Sequence, residues 1–386
     1  MVRQGLSVPG DPRVWREATA LAAAGHDLTV IASRGPGQRR TERLDGIAVR
    51  RYRCPAGTGF VGLAVETLAA FLGCAWHLLA VRLRGRIDVL HAFNPPDTLA
   101  LLAWLLPGAH LVYDQADPVP ELLAARGGAP KPLVALLTGL ELRVLRRAAL
   151  VLAVNNTCRA LAIGRADLPA DRVVVIRIGP SHLAAPTVEP TGLPVVTFAG
   201  VMGVQDGVEV LLRAAALLQA GRPGTCRFEL IGDGPDLPRL RALADDLGLA
   251  PVLTWTGWLT GEQFPARLAA ATVCISPDAD TAFNRLATMV KITDYLAMGK
   301  ACLVADLPET RVTCGDAVSY FPAGDAAALA DRLAELLDRP ALRADLAARA
   351  RARAPRLLWQ RSADRLVAAY AALLDGGPPV EGEQTP

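Results

Sequence analysis

The sequence predicts an α/β protein made of two doubly wound, Rossmann-like domains that face a cleft. The chain has 386 residues, which is too long for one ordinary domain and enough for two domains with separate cores. Short apolar runs bounded by turn residues alternate with helical stretches, a pattern typical of parallel sheets covered on both faces. A proline-rich segment without periodicity, 179–194, divides the runs into two series and indicates an interdomain linker.

Each series contains six apolar runs that we expect to be strands. In the first domain, 1–178, they are 27–33, 47–54, 87–93, 109–113, 149–154 and 172–178. In the second domain, 195–355, they are 195–200, 227–232, 252–256, 272–276, 301–306 and 317–321. A further strand at the start would have to occupy Met1–Gly5, which is short for the centre of such a sheet. The tail 376–386 is expected to be disordered.

Composition excludes several classes of function. The 41 basic and 38 acidic residues nearly balance, so no nucleic-acid partner is indicated. Seven cysteines form no C-x-x-C pair and five histidines are scattered, so no metal site is expected. The odd cysteine count and the absence of a secretory signal predict reduced thiols in a cytoplasmic protein.

One apolar segment has the length of a membrane span. Residues 60–81 contain Glu66 and His77 and have no strong flanking topology signal, so we expect a buried or amphipathic helix. A peripheral membrane contact through this helix and the following Arg82, Arg84 and Arg86 stays open as the alternative.

The first domain offers candidate binding residues near its amino terminus. Asp11 can cap a helix that has Pro12 in its first turn and stops near Gly25. The capped helix alone explains Asp11 and Pro12. A functional interpretation adds a loop that brings Arg13 and backbone N–H groups to the cleft.

Polar residues also follow two predicted strands of the first domain. Asp114, Asp117 and Glu121 come after 109–113, where carboxylates suit hydrogen bonding to sugar hydroxyls or proton transfer. Loop capping and ion pairing with arginines is the alternative. His91 and the following Asn94 could face the cleft as well, although a lone strand histidine is more often a core residue.

Two glycine-containing turns follow strands of the second domain. Gly203 and Gly207 lie in a turn that opens a helix, where backbone can approach a phosphate and the helix amino terminus favours an anion. Asp233 and Gly234 form a similar turn after the next strand. Neither turn is a P-loop, so each is a weak signal by itself.

The run 284–300 is the most informative segment. Thr288 can cap a helix that ends near Gly299, and Lys291 and Asp294 share one of its faces near the amino terminus. Lys291 would meet phosphate charge and Asp294 ribose hydroxyls, whereas the alternative is an ordinary surface ion pair. The nearby triplet Asp278-Ala-Asp280 has the form of a D-x-D metal motif, which we attribute to chance.

These segments, in this order, resemble the family 4 retaining glycosyltransferases over nearly the whole chain. The matching stretches include GDPRVWREATALAAAGHDLTVI, VYDQADPVPELL, FAGVMGVQDGVEVLL and TMVKITDYLAMGKACLVADLPETR. The last two are similar to a bacterial subgroup with a TMxKxxxYxAMGK-type donor motif. The resemblance implies a GT-B fold, with the acceptor in the first domain and the donor in the second. It also implies a helix at 356–375 that crosses back to the first domain.

The resemblance further implies the reaction and its residues. The co-substrate would be a nucleoside-diphosphate sugar, favouring UDP, with no cofactor and no catalytic metal. The acceptor would be a hydroxyl of a small molecule, natural product, saccharide or lipid-linked saccharide. The implied donor contacts include Lys291, Asp294 and the amides near Thr288 and Met289, with base selection near Trp258; Asp117 would act beside the reaction centre.

Three positions depart from the family pattern. Leu286 stands where the family has the first Glu of a Glu-x7-Glu motif, and Asp206 stands at a Lys position of the glycine turn. Ala116 stands at the family's cleft histidine, which leaves Asp117 alone. These departures keep open the alternative of a catalytically impaired binding or partner subunit.

Overall fold

The computed structural model describes residues 1–55, 59–125, 130–184, 192–259 and 261–376. They form two compact units. The first comprises Met1–Ile178 with the last helix from Gln360 on, and the second comprises Gly179–Trp359. Residues 185–191 of the predicted linker and 377–386 of the predicted tail lie outside the described residues.

The first unit alternates strands and helices, and every predicted strand of this domain overlaps an observed one. The elements are α1 (Pro12–Ala23), β1 (Thr29–Ser33), β2 (Thr41–Leu44), β3 (Ile47–Tyr52), α2 (Gly59–Arg82), β4 (Val89–Phe93), a 3-10 helix (Asp97–Leu105), β5 (His110–Gln115), α3 (Val119–Ala125), α4 (Lys131–Arg147), β6 (Leu150–Ala153), α5 (Asn156–Ala166), a 3-10 turn (Ala170–Arg172) and β7 (Val173–Val175). The sequence analysis missed β2 because its residues, TERL, are mostly polar. This strand forms by antiparallel pairing with β3 at the sheet edge.

The sheet of the first unit is joined at its centre by one residue. Strands β1, β3 and β2 form one group, and β4 to β7 form a second, parallel group. Val2 bridges Ile31 of the first group and Ala92 of the second. Its N–H donates to the His91 carbonyl at 2.8 Å, and the Phe93 N–H donates to its carbonyl at 3.1 Å. The short first strand is therefore present, reduced to one bridging residue.

The second unit contains one six-stranded parallel sheet with helices between its strands. Its elements are β8 (Val195–Ala199), a 3-10 turn (Val204–Asp206), α6 (Val208–Gly221), β9 (Arg227–Ile231), α7 (Leu237–Asp246), β10 (Leu253–Gly257), α8 (Gln263–Ala270), β11 (Val273–Ser276), α9 (Val290–Ala297), β12 (Ala301–Ala305), α10 (Pro308–Cys314), β13 (Ser319–Phe321), α11 (Ala326–Asp338), α12 (Pro340–Arg353) and a 3-10 turn (Ala354–Leu357). The strand order β10-β9-β8-β11-β12-β13 is doubly wound and reverses between β8 and β11.

The last helix, α13 (Trp359–Asp375), contributes to the first unit. Its Tyr370 is buried and its hydroxyl lies 2.7 Å from Nδ1 of His91 on β4. The Ser362 hydroxyl accepts from the Arg177 N–H at 3.0 Å. The first unit is thus assembled from both ends of the chain.

Helix α2 differs from the sequence prediction. Among the described residues it is the one helix long and apolar enough to cross a membrane, with 17% of its most apolar window buried. The helix is therefore not buried as expected. The alternative expectation of an amphipathic helix is also wrong, because the exposed side of α2 consists of large apolar side chains instead of polar ones. By contrast, all seven cysteines are free, and all but Cys54 are buried, as predicted.

Candidate functional site

The strand order of the second unit places its candidate site. In a doubly wound sheet, ligands bind outside the carboxyl ends of the strands, where the order reverses. Here that point lies between β8 and β11, which pair in parallel. The loop 200–207 follows β8 and the loop from Pro277 follows β11. Both loops meet at the side chain of Lys291, near the start of α9.

Lys291 is held between two carboxylates. Its Nζ lies 2.7 Å from Oδ1 of Asp278 and 3.2 Å from Oδ1 of Asp206, and it stands 4.9 Å from the ring centroid of Phe198. The side chain is 10% exposed, so this is not the exposed surface pair that the sequence analysis gave as the alternative. The ammonium links the loops that follow β8 and β11.

The charges of this cluster shift one another. Burial alone would lower the pKa of Lys291, but Asp278 and Asp206 outweigh it and raise that pKa, so the ammonium stays protonated. Burial raises the pKa of Asp206, and the neighbouring Lys291 offsets only part of that effect. Oδ2 of Asp206 also accepts from the Gly203 N–H at 3.2 Å, which fixes the carboxylate within the loop.

Glycines allow the loops to pack closely. Gly207 has φ of +66°, and a Cβ there would lie 2.1 Å from the Pro277 carbonyl oxygen. A Cβ on Gly234 would lie 2.5 Å from the backbone of Met202. The Met202 N–H donates to the Asp233 carbonyl at 3.0 Å, which joins the turns after β8 and β9. A larger residue at Gly207 would push apart the loops after β8 and β11, and one at Gly234 would push apart the turns after β8 and β9.

The amino terminus of α9 corrects one prediction. The helix begins at Val290, with Met289 at the cap position and no side-chain capping bond. Thr288 therefore does not cap it; its hydroxyl donates instead to the buried Glu309 at 3.0 Å. The predicted end near Gly299 agrees with the observed end at Ala297. The uncapped first turn of α9 leaves backbone N–H groups beside Lys291, where an anion is favoured.

The other predicted donor residues lie around the same sheet edge. Asp294 follows Lys291 by one turn of α9 and is partly exposed. Asp233 is exposed, and its side chain accepts from the Gly234 N–H at 2.7 Å. Trp258 is 60% exposed directly after β10, two strands from β8. Neighbouring strands lie about 4.8 Å apart, so Trp258 stands roughly 10 Å across the sheet from the end of β8.

Sequence reasoning missed three residues of this cluster, which are Asp206, Asp278 and Asn284. Asp278 and Asp280 do not converge: Asp278 bonds Lys291 and Ser276, whereas Asp280 pairs with Arg285. Asp278 was set aside with the D-x-D triplet and Asp206 was noted only as a departure. Asn284 donates to the carbonyls of Gln205 and Ala279, both at 2.8 Å, and was given no role. The available signal was that all three lie in the loops that follow β8 and β11.

In the first unit, Arg13 and His91 belong to a buried network. Arg13 donates to both oxygens of Asp114, at 2.7 and 2.6 Å, and to the Ile176 carbonyl at 2.9 Å. Nε2 of His91 lies 3.5 Å from Glu17 and 3.7 Å from Asp114. All four side chains are at most 5% exposed. We therefore assign Arg13 and His91 to this network rather than to direct acceptor contacts.

Burial sets the protonation of this network. Burial, and then the charge of Asp114, raise the pKa of Glu17 well above its ordinary value. Burial would also raise the pKa of Asp114, but Arg13 reverses this and holds it low. Burial lowers the pKa of His91. The network therefore holds charged Arg13 and Asp114 beside a neutral His91, and its buried position disfavours ionisation of Glu17.

Among the described residues, Glu17, His91 and Asp114 are also the one group of three side chains whose possible metal-ligand atoms all lie within 4.8 Å of one another. The Arg13 guanidinium already occupies both oxygens of Asp114. A cation placed there would lie against that positive charge in a buried site. The donor set does not fit a metal ion.

Asn94 positions the loop that contains Asp117. Its side chain accepts from the Asp117 N–H at 2.9 Å and donates to the Asp117 carbonyl at 2.8 Å. It also donates to the buried Asp97 at 2.8 Å. Asn94 is itself fully buried, so it acts on the loop rather than on a ligand, while Asp117 is partly exposed after β5.

The remaining predicted acceptor residues make protein contacts. Asp11 caps α1 by accepting from the N–H groups of Arg13 and Val14, as predicted, and also accepts from Arg3 at 3.0 Å. Glu121 pairs with Arg165, which also pairs with the buried Glu141. This ion pairing is the alternative that the sequence analysis gave for Glu121. Arg3, which the sequence analysis did not select, also donates to the Asn94 carbonyl at 2.7 Å.

Comparison with known proteins agrees with the fold. A family model described as "Glycosyl transferase 4-like domain" matches residues 10–179, and one described as "Glycosyl transferases group 1" matches residues 193–339. The 2-deoxystreptamine N-acetyl-D-glucosaminyltransferase of Streptomyces fradiae is 29% identical, over 83% of this chain and 82% of the relative. The D-inositol 3-phosphate glycosyltransferase of Acidothermus cellulolyticus is 28% identical, over 78% and 71%.

Solved structures share the fold. Sucrose-phosphate synthase from Thermosynechococcus elongatus superimposes with a TM-score of 0.78 at 18% identity, covering 97% of this chain and 96% of that one. Anabaena HepE in complex with UDP-glucose superimposes with a TM-score of 0.70 at 15% identity, covering 96% and 98%.

The fold and the two family models define the chain as a glycosyltransferase of the GT-B class. It belongs to the glycosyltransferases that combine an amino-terminal family 4-like domain with a carboxyl-terminal group 1 domain. The alternative of a non-catalytic binding subunit is not favoured by these relatives.

Proposed function

We propose that this enzyme transfers a hexose-type sugar from a nucleoside-diphosphate sugar, with UDP as the favoured nucleotide, to an acceptor hydroxyl with retention of the anomeric configuration. The acceptor would be a small molecule, natural product or saccharide, free or lipid-linked. The observation that supports this most is the ammonium of Lys291 beside the uncapped start of α9, at the point where the strand order reverses. Named relatives transfer sugars to 2-deoxystreptamine and to inositol phosphate.

Transfer of the sugar requires stabilisation of the departing nucleoside diphosphate. The bond from the anomeric carbon to the diphosphate oxygen breaks, the acceptor oxygen bonds to that carbon from the same face, and its proton passes to the diphosphate. Negative charge grows on the leaving group, so a fixed cation and oriented N–H groups lower the barrier. Lys291 and the amides at Thr288 and Met289 would supply them.

The remaining roles follow from position. Asp294, one turn further along α9, would accept from ribose hydroxyls, and Trp258 would border the base. The backbone at Gly203, Gly207, Asp233 and Gly234 would shape the wall of the site. In the first unit, Asp117 would contact the reacting sugar and acceptor, with its loop held by Asn94.

We also propose that the reaction needs no metal ion. Lys291 and the start of α9 can offset the diphosphate charge without one. The carboxylates of the D-x-D triplet support this because they engage Lys291 and Arg285 instead of converging. Transfer that persists in excess EDTA is the expected outcome, and restoration of lost activity by Mg²⁺ or Mn²⁺ would contradict it.

The donor site is tested by thermal shift with UDP-, TDP- and GDP-glucose. A ligand at about 100 times its Kd adds about 2.7 kcal/mol to the stability of the domain, which raises Tm by roughly 5–10 °C for a domain of this size. We expect one nucleotide sugar to produce this shift in wild type, and Lys291→Ala to reduce the shift measured from its own baseline. Lys131→Ala, which removes an exposed lysine on α4, is the matched control.

The outcomes separate the parts of the proposal. If no nucleotide sugar stabilises the wild type, the donor site is refuted. If Lys291→Ala keeps the full shift while folded, Lys291 does not bind the diphosphate. Retention is tested separately: NMR of the product gives the coupling constant of the anomeric proton, which reports the anomeric configuration. An inverted product would refute the retaining mechanism alone.

A further inference from the structure

The exposed side of α2 is apolar from Val61 to Leu79. Val65, Leu68, Leu72, Trp76, Leu79 and Leu83 follow one another by three or four residues, so they form one stripe along the helix and its last turn. Each is between 46% and 88% exposed. We call this stripe the outer face of α2. Water-facing helices of soluble domains normally place polar residues there.

The opposite side of α2 is fixed to the first unit. Ala70, Cys74 and Leu78 are buried. A Cβ on Gly73 would lie 2.6 Å from the side chain of Tyr52 at the end of β3, so the helix backbone rests directly on that ring. The helix cannot leave the sheet to cross a bilayer without uncovering this core. Only its outer face is available to a partner.

Further apolar side chains are exposed on elements beside α2. The 3-10 helix Asp97–Leu105 packs against α2 and against α4. It exposes Trp104 by 55% and Leu105 by 44%, and α4 exposes Leu136 by 65%. The exposed apolar residues of this region therefore exceed the isolated ones that soluble surfaces commonly carry.

Positive charge lies at the carboxyl end of the same helix. Arg82, Arg84 and Arg86 are exposed, and Arg50 of β3 stands close enough to Arg84 to be affected by its charge. Arg86 pairs with Asp88. Within the part of the chain that the structure describes, Arg50, Arg82 and Arg84 form no ion pair. Glu66 is the single acidic residue of α2.

We propose that the outer face of α2 docks the enzyme on an anionic lipid bilayer, with the helix lying in the interface. Apolar side chains enter the acyl boundary while arginines at the end of the helix meet lipid phosphates, which is the arrangement of interfacial helices. A tryptophan at the centre of the stripe suits that depth. A second copy of the chain could cover the apolar stripe, but it would place its own arginines, instead of anions, near the arginines at the end of α2.

Vesicle flotation of the full chain tests this proposal. We expect wild type to float with vesicles of phosphatidylcholine and phosphatidylglycerol, and to bind pure phosphatidylcholine much less. Leu72→Gln with Trp76→Gln should lower partitioning at least about tenfold, since both side chains enter the acyl region. Arg82→Gln with Arg84→Gln should lower it about thirtyfold on anionic vesicles, at about 1 kcal/mol per arginine, and high salt should mimic that loss.

The controls make each outcome decisive. Leu217→Gln removes a comparably exposed leucine from α6 of the second unit and should float like wild type. Unchanged Tm values show that the variants are folded. The proposal is overturned if wild type does not float, or if Leu72→Gln with Trp76→Gln floats normally. It is also overturned if light scattering shows a dimer that this variant dissociates while no vesicle binds.

Discussion

Replacing Asp206 by Asn tests whether a carboxylate competes with the donor for Lys291. Asp206 lies 3.2 Å from Nζ of Lys291 and also accepts from the Gly203 N–H. Asparagine keeps an oxygen for that N–H, so the loop geometry is preserved. Asp278 at 2.7 Å keeps the ammonium charged and in place. The substitution therefore removes one negative charge together with the hydrogen bond that Lys291 donates to Oδ1.

The expected gain follows from the distances. A phosphate oxygen in contact with Nζ would stand about 5 Å from the Asp206 carboxylate, where like charges repel by about 1–3 kcal/mol at effective dielectric constants of about 80 to 20. Burial raises the pKa of Asp206, which favours loss of its charge, so we use the lower value of the repulsion. We expect Asp206→Asn to bind UDP-glucose about fivefold more tightly at neutral pH.

Isothermal titration calorimetry with UDP-glucose at pH 6, 7 and 8 measures this effect. Wild-type affinity should rise as pH falls, because protonation removes the Asp206 charge, and the variant should show a flatter profile. Asp280→Asn, an exposed carboxylate paired with Arg285, is the matched control and should behave like wild type. Equal or weaker binding by Asp206→Asn at every pH would refute the reasoning.

Two further predictions concern the first unit. Glu17 has a raised folded pKa, so its contribution to stability is present at low pH and is lost as pH rises towards that pKa. Between pH 5 and 8, the free energy of unfolding of Glu17→Gln should therefore rise relative to wild type by up to about 1.4 kcal/mol per pH unit, which is measured as a growing difference in Tm. Parallel Tm profiles would contradict this. Asn94→Ala should lower the free energy of unfolding by about 2–4 kcal/mol through two unpaired groups and reduce kcat about tenfold or more, with the donor KM within about twofold. An unchanged kcat in the folded variant would show that the Asp117 loop does not need this clamp.

The sequence predicted the two sheets well because their strands are continuous apolar runs bounded by turn residues. It missed β2 because TERL is not an apolar run, and there pairing with β3 decides the conformation. It misjudged α2 because residues 60–81 are apolar on both sides, and periodicity cannot tell which side the sheet covers.

The candidate site was predicted in part for a similar reason. The turn glycines and Lys291 belong to local motifs that a sequence displays directly. The partners of Lys291 do not, since Asp278 and Asp206 lie 13 and 85 residues away. Their meeting depends on the order of β8 and β11 in the sheet. For Arg13 and His91 a ligand contact stayed open in the sequence, because burial within a five-residue network leaves no local signal.

The composition of the first unit sets an order of completion during synthesis. Its network joins Arg13, Glu17, His91 and Asp114 to Tyr370 of α13, and residues 179–359 between them form the second unit. A chain emerging from the ribosome has the whole second unit available before Tyr370 exists. Although domains generally fold from the amino terminus onward, here the unit that begins first is the last to be finished. Until then, Nδ1 of His91 lacks its hydroxyl partner.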